Sequence, residues 1–262
     1  MHNDFFELIL KDGPIIGAAI HSGHKVREEL RSYFNLSESE RLREEDPYTD
    51  RWADVAPNTI KAFHSRFEVD LNRSRDKAIY RKPEDAWGLQ VWKEDLPEAI
   101  VQKSLAQYDA FYNEVKNMLS KIYDQHGFII VLDIHTYNHK RAGADGAEAN
   151  PKENPEVNIG ISNMKREQWA PVVDGFMEDL RKFDFNGRQL DVRENVKFKG
   201  GYFSNWIHSQ FPQSCSIAIE FKKFFMNEWT GELDTDQHKT LYKALEFTKD
   251  NLLENSRRIQ RK

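Results

Sequence analysis

The strongest constraint on the fold is an uninterrupted apolar run, Phe128 to Ile134, that directly follows a long amphipathic helix pattern. From Pro97 onward, large apolar residues recur at steps of three and four up to Ile122, and Gly127 stands where a helix C-cap belongs. The run itself is rich in β-branched residues, which predicts a buried central strand. Such a strand would carry His135 at its carboxyl end.

The same alternation of apolar runs and amphipathic helices continues along the chain. Residues 14–20 and 216–221 predict further buried strands, and helices are expected over 26–34, 169–180 and 235–255. No repeat, low-complexity block or linker interrupts this pattern. We therefore expect the 262 residues to form a single α/β domain, with a central, mostly parallel mixed sheet and helices on both faces.

The charge balance and the N-terminal residues narrow the classes of partner. With 38 Lys and Arg against 43 Asp and Glu, the net charge is -5, so no nucleic acid partner is expected. The first apolar run, Phe5 to Leu10, is interrupted by Glu7, which argues against a signal peptide or membrane anchor and favours the cytoplasm. Cys215 is the single cysteine, so a metal site would have to use histidine and carboxylate ligands. The oligomeric state is left open.

Two histidines, His21 and His135, each directly follow an apolar run. Either ring alone could be a hydrogen-bonded structural histidine, but two at strand ends favour a shared metal site. Catalytic zinc takes three His or carboxylate ligands and keeps one position open. For the third ligand we favour Asp50, with Asp46 as the alternate, because Asp46 followed by Pro47 also suits the start of a helix. One divalent ion, zinc, is expected.

Glu220 stands out because it lies between Ile219 and Phe221 inside an apolar strand pattern, where a lone carboxylate is costly to bury. Either a cation such as Lys222 or Lys223 neutralises it, or its pKa is raised for use in catalysis. Beside a metal, it could take a proton from water and return it to a leaving amine. No nucleophile elbow, phosphate loop or dinucleotide fingerprint competes with this metal-assisted hydrolysis.

Substrate binding is assigned to two further segments. Asn72 and Arg73 end a strand-like run from Phe67, and a planar guanidinium suits a substrate carboxylate; a surface salt bridge is the alternative for Arg73. Lys199 precedes a Gly-Gly pair in what reads as a flexible loop, where it could meet an anionic group, although a simple turn is equally consistent. A small-molecule substrate is therefore expected.

Taken in order, six short motifs resemble those of the N-formylglutamate amidohydrolase family, over a stretch from about residue 14 to residue 230. They are His21-Ser22-Gly23, Asp46-Pro47-Tyr48-Thr49-Asp50, Val69-Asp70-Leu71-Asn72-Arg73, Leu132-Asp133-Ile134-His135-Thr136, Phe198-Lys199-Gly200-Gly201-Tyr202 and Ile217-Ala218-Ile219-Glu220. The family is similar in fold to the zinc carboxypeptidases. The resemblance implies zinc on His21, His135 and an acid of the Asp46–Asp50 segment.

The same resemblance implies an activity. The family hydrolyses N-formyl-L-glutamate to formate and L-glutamate, with carboxylate recognition by Asn72 and Arg73 and with Glu220 as general acid and base. Because substrate choice resides in loops, an amidohydrolase or carboxypeptidase acting on other N-acyl amino acids or peptides is the alternative. A non-catalytic binding protein on the same scaffold is a third hypothesis.

Overall fold

A computed structural model describes residues 1–260, and within them seven strands form one mixed sheet in the order β1-β3-β2-β4-β7-β5-β6. The strands are β1 (Phe6–Ile9), β2 (Ile15–Ala19), β3 (Asn58–Ala62), β4 (Ile129–Tyr137), β5 (Val157–Gly160), β6 (Val192–Glu194) and β7 (Ser214–Lys222). The β1–β3 and β5–β7 pairs are antiparallel, and the other neighbours are parallel. The predicted mostly parallel mixed sheet is confirmed.

The helices cover both faces of this sheet. They are α1 (Glu38–Glu44), α2 (Thr49–Ala53), α3 (Glu98–His126), α4 (Ala170–Lys182), α5 (Tyr202–Gln210), α6 (Thr235–Phe247) and α7 (Lys249–Gln260). One apolar core joins α3 and α5 to the sheet, and a second core joins it to α4, α6 and α7. Among the described residues, none of these helices combines the length and the apolar character that crossing a bilayer requires.

The central strand β4 alternates between the two cores along most of its length. On β4, Ile130, Leu132 and Ile134 face the core of α4, whereas Ile129 and Val131 face the core of α3. The second face turns polar toward the carboxyl end of β4, where the buried side chains are Asp133 and His135. This change of polarity marks the end of the sheet at which a polar ligand can be held.

Three expectations about local structure were wrong. The 26–34 segment forms only a 3-10 turn at Glu28–Leu30, because the backbone of Arg27 is extended, with its N–H donated to the Glu68 carboxylate. The strand-like run from Phe67 to Arg73 is a series of turns, in which the Asp70 carboxylate accepts the Asn72 N–H. The last predicted helix is two helices that meet at Thr248.

A close contact between β2 and α2 fixes the segment that precedes α2. A Cβ atom on Gly17 would lie 2.2 Å from the carbonyl oxygen of Ala53, so only glycine lets the helix lie this near the strand. This approach brings the residues between α1 and α2 to the carboxyl end of β2, next to His21.

Candidate metal centre and active site

Three buried side chains, His21, Asp46 and His135, converge at the carboxyl ends of β2 and β4. One ligand atom from each lies within 4.8 Å of the others, and the two imidazole ring centroids are 5.1 Å apart. Two imidazoles and a carboxylate form a donor set that suits a divalent cation such as zinc. The group could therefore bind a metal ion.

The acid in this group is Asp46, the alternate ligand, and not Asp50. The Asp46 N–H donates to the carbonyl oxygen of His21 (2.9 Å), and its carboxylate accepts the Thr136 hydroxyl (2.9 Å). Tyr48 then adopts a left-handed conformation (φ 69°), so that α2 begins beyond it, at Thr49. Asp50 lies in the first turn of α2, away from the two histidines, and Asp46 is therefore a ligand candidate rather than a helix cap.

A buried carboxylate supports each histidine from behind. The Nε2–H group of His21 donates to Asp70 Oδ1 (2.7 Å), and that of His135 donates to Asp133 Oδ1 (2.9 Å). These bonds place a proton on each Nε2, so that the Nδ1 atoms of both rings face Asp46. Although burial opposes it, the carboxylates of Asp133 and Asp46 raise the pKa of His135, so in the absence of a cation its Nδ1–H donates to Asp46 Oδ2. The His135 Nδ1 is 3.0 Å from Asp46 Oδ2.

The Nδ1 atom of His21 is buried and has no hydrogen-bond partner among the described residues. It lies 3.5 Å from Asp46 Oδ2, and both residues are almost fully buried. A buried polar atom without a partner is costly, and a ligand that accepts its lone pair removes the cost. This orphaned nitrogen is therefore an independent sign that the three side chains fit a cation.

Asp70 connects the metal group to the neighbouring cavity. Besides His21, its carboxylate accepts Arg66 Nη2 (2.8 Å), the Tyr80 hydroxyl and the Asn72 N–H (2.8 Å). Burial alone would raise its pKa, but the Arg66 guanidinium and His21 hold the pKa of Asp70 well below its usual range. Asp70 is therefore a charged acceptor for four donors.

Glu220 lies beside this group, on the strand next to β4. In the parallel β4–β7 pair it stands opposite His135, and in the β5–β7 pair it stands opposite Asn158. Burial raises the pKa of Glu220 to about 7; His135 opposes this shift, while Asp46 and Asp133 add to it. Neither Lys222 nor Lys223 forms a salt bridge with it among the described residues, so the neutralised-acid alternative is not favoured.

A cavity of about 330 Å³ opens over these side chains. Of the expected substrate-binding residues, Asn72 and Lys199 line it, whereas Arg73 does not. The Arg73 guanidinium instead donates to the carbonyl oxygen of Asp85 (2.8 Å) and stacks on the Tyr80 ring. Arg66 takes its place in the cavity wall.

Sequence reasoning missed most of the positive charge in the cavity. Five cationic side chains line it: Arg66, Arg141, Lys197, Lys199 and Lys223. Arg66 pairs with Asp70 and Arg141 with Glu44, while the buried Lys223 donates to the carbonyl oxygens of Arg43 and Glu45. Their one signal in the sequence was that Lys197 directly precedes a motif, while Arg66 and Lys223 lie three residues from one.

Lys197 differs from the paired cations. Its Nζ donates to the Asn154 amide oxygen (2.5 Å) and lies 5.2 Å from the centre of the Tyr137 ring. Burial and the nearby Arg141 lower its pKa, and the acids that act on it, Glu153 and Glu220, do so without a hydrogen bond. This ammonium group therefore has N–H donors that can bind an anion in the cavity.

Comparison with known proteins places these observations in a family. Residues 13–226 match the family described as N-formylglutamate amidohydrolase. Among solved structures, the fold is shared with N-formylglutamate amidohydrolase from Ralstonia eutropha JMP134, at a TM-score of 0.75, 18% identity and 99% coverage of both chains. It is also shared with gene product Atu2144 from Agrobacterium tumefaciens, at a TM-score of 0.65, 16% identity and 96% coverage of both chains. No match was found among curated proteins. Since the family match covers most of the sequence, the chain belongs to the N-formylglutamate amidohydrolase family.

Proposed function

We propose that the protein is a metal-dependent amidohydrolase that cleaves the amide bond of an N-acylated amino acid, with N-formyl-L-glutamate as the first candidate substrate. One observation carries the proposal: two carboxylate-supported histidines and Asp46 converge in a buried group beside Glu220. Family membership supports the reaction class. Residues 1–262 are proposed to act as one domain.

In this proposal His21, Asp46 and His135 hold one divalent cation, for which zinc is the first candidate because its catalytic sites combine histidine and carboxylate with an open position. The same donors also suit iron, manganese or nickel. When bound, the cation supplies polarisation of the acyl carbonyl and acidification of the attacking water. Asp70 and Asp133 accept the Nε2–H of the two rings, so that Nδ1 of each ring is the atom that would meet the cation, which would take the place of any proton there.

Glu220 is the proposed general base and acid. It takes the proton that the attacking water loses and donates it to the amine nitrogen as the C–N bond breaks. The raised pKa, about 7, suits a group that must both accept and release a proton near neutrality. A cation in the adjacent group would lower this pKa, so Glu220 would start the reaction as the carboxylate.

The cations of the cavity are proposed to recognise the substrate's carboxylates. Asn72 and Arg66 lie on the side of the Asp70 turn, while Lys197 and Lys199 come from the loop after β6. A substrate with two carboxylates would meet positive charge from both segments, which favours an acylated acidic amino acid over an acylated neutral one. Arg73 could join them only by leaving the carbonyl oxygen of Asp85.

The proposal is tested by a substrate panel on purified protein of measured metal content. N-formyl-, N-acetyl- and N-succinyl-L-glutamate are compared with short peptides, and release of free amine is followed. We expect about one equivalent of metal per chain and the highest kcat/KM for the formyl compound. Faster cleavage of peptide ends would favour the carboxypeptidase alternative, and no turnover by the metal-loaded protein would contradict the enzymatic role.

A further inference from the structure

A chain of buried hydroxyl groups lies behind His135. Asp133 lies two residues before His135 on β4, so both side chains point to the same face of the sheet. Ser204, in the first turn of α5, donates its hydroxyl to Asp133 Oδ2 (2.8 Å). Ser216, on β7, lies 2.9 Å from the Ser204 oxygen. Apart from His135, which is 3% exposed, these side chains are completely buried.

The number of available protons fixes the direction of this chain. A carboxylate only accepts hydrogen bonds, so the single hydroxyl proton of Ser204 goes to Asp133. Ser216 must then donate its own hydroxyl proton to Ser204. Asp133 Oδ1 remains for the Nε2–H of His135 (2.9 Å), and the other ring nitrogen, Nδ1, faces Asp46 (3.0 Å). The hydroxyl chain therefore ends at Nε2 of His135, the ring nitrogen opposite the one that faces the proposed metal group.

The residue beside Ser204 contacts the substrate side of the site. The N–H of Phe203 donates to the Asn72 amide oxygen (2.9 Å), and a Cβ on Gly201 would collide with the same amide group. The first turn of α5 thus contacts a cavity-lining amide through one residue and the carboxylate behind His135 through the next. Displacement of this turn would disturb both.

We propose that Ser204 is a positioning residue for the metal centre: its hydroxyl, oriented by Ser216, holds the Asp133 carboxylate and through it the ring of His135. The inference rests on the proposed function, since it requires a cation at His21, Asp46 and His135. Ser204 touches neither substrate nor metal, and it acts only through Asp133. Loss of such an outer hydrogen bond is expected to weaken metal affinity by about tenfold.

The test measures the affinity of the metal-free protein for Zn²⁺, by competition with a chromophoric chelator. We expect S204A to bind Zn²⁺ about tenfold more weakly than the unchanged protein. Ser209→Ala is the matched control, because this exposed residue of the same helix donates only to the Trp206 carbonyl oxygen. Ser204→Thr, which keeps the hydroxyl, should restore most of the affinity.

The Co²⁺ form gives a readout that loss of stability alone would not change. A rotated His135 ring alters the ligand field, so the visible absorption of the Co²⁺-loaded Ser204→Ala protein should shift, while that of Ser209→Ala should not. If Ser204→Ala does not fold, Ser216→Ala provides the test, because it keeps the Ser204 hydroxyl but removes the donor that orients it. We expect it to lose less Zn²⁺ affinity than Ser204→Ala would.

The possible outcomes separate the two proposals. If Ser204→Ala and Ser216→Ala both keep the Zn²⁺ affinity and the Co²⁺ spectrum of the unchanged protein, the positioning role is overturned and the amidohydrolase proposal stands. Equal losses in Ser204→Ala and Ser209→Ala would also overturn it, because the effect would then belong to the helix. Absence of Zn²⁺ binding by the unchanged protein would overturn the metal centre itself, and the role of Ser204 with it.

Discussion

At the scale of single residues, Glu220 is the proposed proton carrier and His135 a proposed metal ligand, so their variants should fail differently. Glu220→Gln keeps the size of the side chain but cannot move a proton, so we expect metal content near that of the unchanged protein and turnover reduced by about 10²- to 10⁴-fold. His135→Ala removes a ligand and should lose both. Metal analysis and amine release on the same samples measure this, and a fully active Glu220→Gln protein would reject the assignment.

A second residue-scale prediction concerns His208, whose Nε2 accepts the Ser216 N–H (2.9 Å) and whose Nδ1–H donates to the Asn163 amide oxygen (2.8 Å). Burial lowers the pKa of His208 to about 4, so the folded protein prefers the neutral ring. Its contribution to stability is then complete above the unfolded pKa, about 6.5, and is lost as the pH falls toward 4.

Urea unfolding of the unchanged protein and of His208→Gln, at pH 7 and pH 4.5, measures this effect. Between pH 7 and pH 4.5, the unfolding free energy of the unchanged protein should fall by about 1–2 kcal/mol more than that of the variant. The difference is smaller than the full pKa shift would give, because the ring is partly exposed to solvent. Equal losses in the two proteins would contradict the assignment of acid sensitivity to this histidine.

The residues themselves show what the sequence could and could not predict. His21 and His135 could be identified from the sequence as candidate metal ligands, because a polar ring directly after an apolar strand has no packing reason to be there. Asp46 and Asp50 could not be separated, because the left-handed backbone at Tyr48, which a non-glycine residue rarely adopts, decides which acid faces the histidines. Asp133 carried a usable signal, since it is an acid inside an apolar run.

At the scale of elements, the loop after β6 is held in place by β5. The Asn158 amide oxygen accepts the N–H of Lys197 (2.8 Å), and its Nδ2 donates to the Phe198 carbonyl oxygen (2.8 Å). Asn158 stands opposite Glu220 in the sheet. The position of Lys197 relative to the proposed base is therefore set by strand pairing rather than by a free loop.

This arrangement predicts a selective effect of Lys197→Met, which keeps the aliphatic stem over the Tyr137 ring but removes the charge. We expect kcat/KM for N-formyl-L-glutamate to fall by about 10- to 100-fold, the ratio that a hydrogen bond to a charged group supplies. The value for N-formyl-L-glutamine, of equal size but without the second carboxylate, should hardly change. Lys239→Met, on the exposed side of α6, is the control, and an equal fall for both substrates would contradict this role.

Elements that bury a continuous apolar stripe were predictable, and the others were not. The strands β2, β4 and β7 and the long helix α3 follow such patterns closely. The strand β3 escaped prediction because Asn58, Thr59 and Lys61 are polar yet buried; Asn58, for example, donates to the carbonyl oxygens of Gly13 and Ile15. Hydropathy does not reveal polar residues whose partners come from other parts of the chain.

At the scale of the whole molecule, the proposed metal should stabilise the fold. A ligand that binds only the folded state at 100 times its Kd adds about 2.7 kcal/mol to the unfolding free energy. Removal of metal by a chelator should therefore lower Tm by several degrees, about 2–4 °C per kcal/mol for a chain of this size, and added Zn²⁺ should restore it. His135→Ala should show no such response, and a chelator-insensitive Tm in the unchanged protein would argue against a metal held at this site.

The three donor side chains come from the turn after β2, from the segment before α2 and from the end of β4, so most of the first half of the chain lies between the outer two. An ion on all three would act as a reversible cross-link around α1, α2, β3 and α3, and cross-links around long loops restrict the unfolded chain most. Because the three segments that carry the donors could not separate without releasing the ion, the rate at which it exchanges would set an upper limit on how often they come apart.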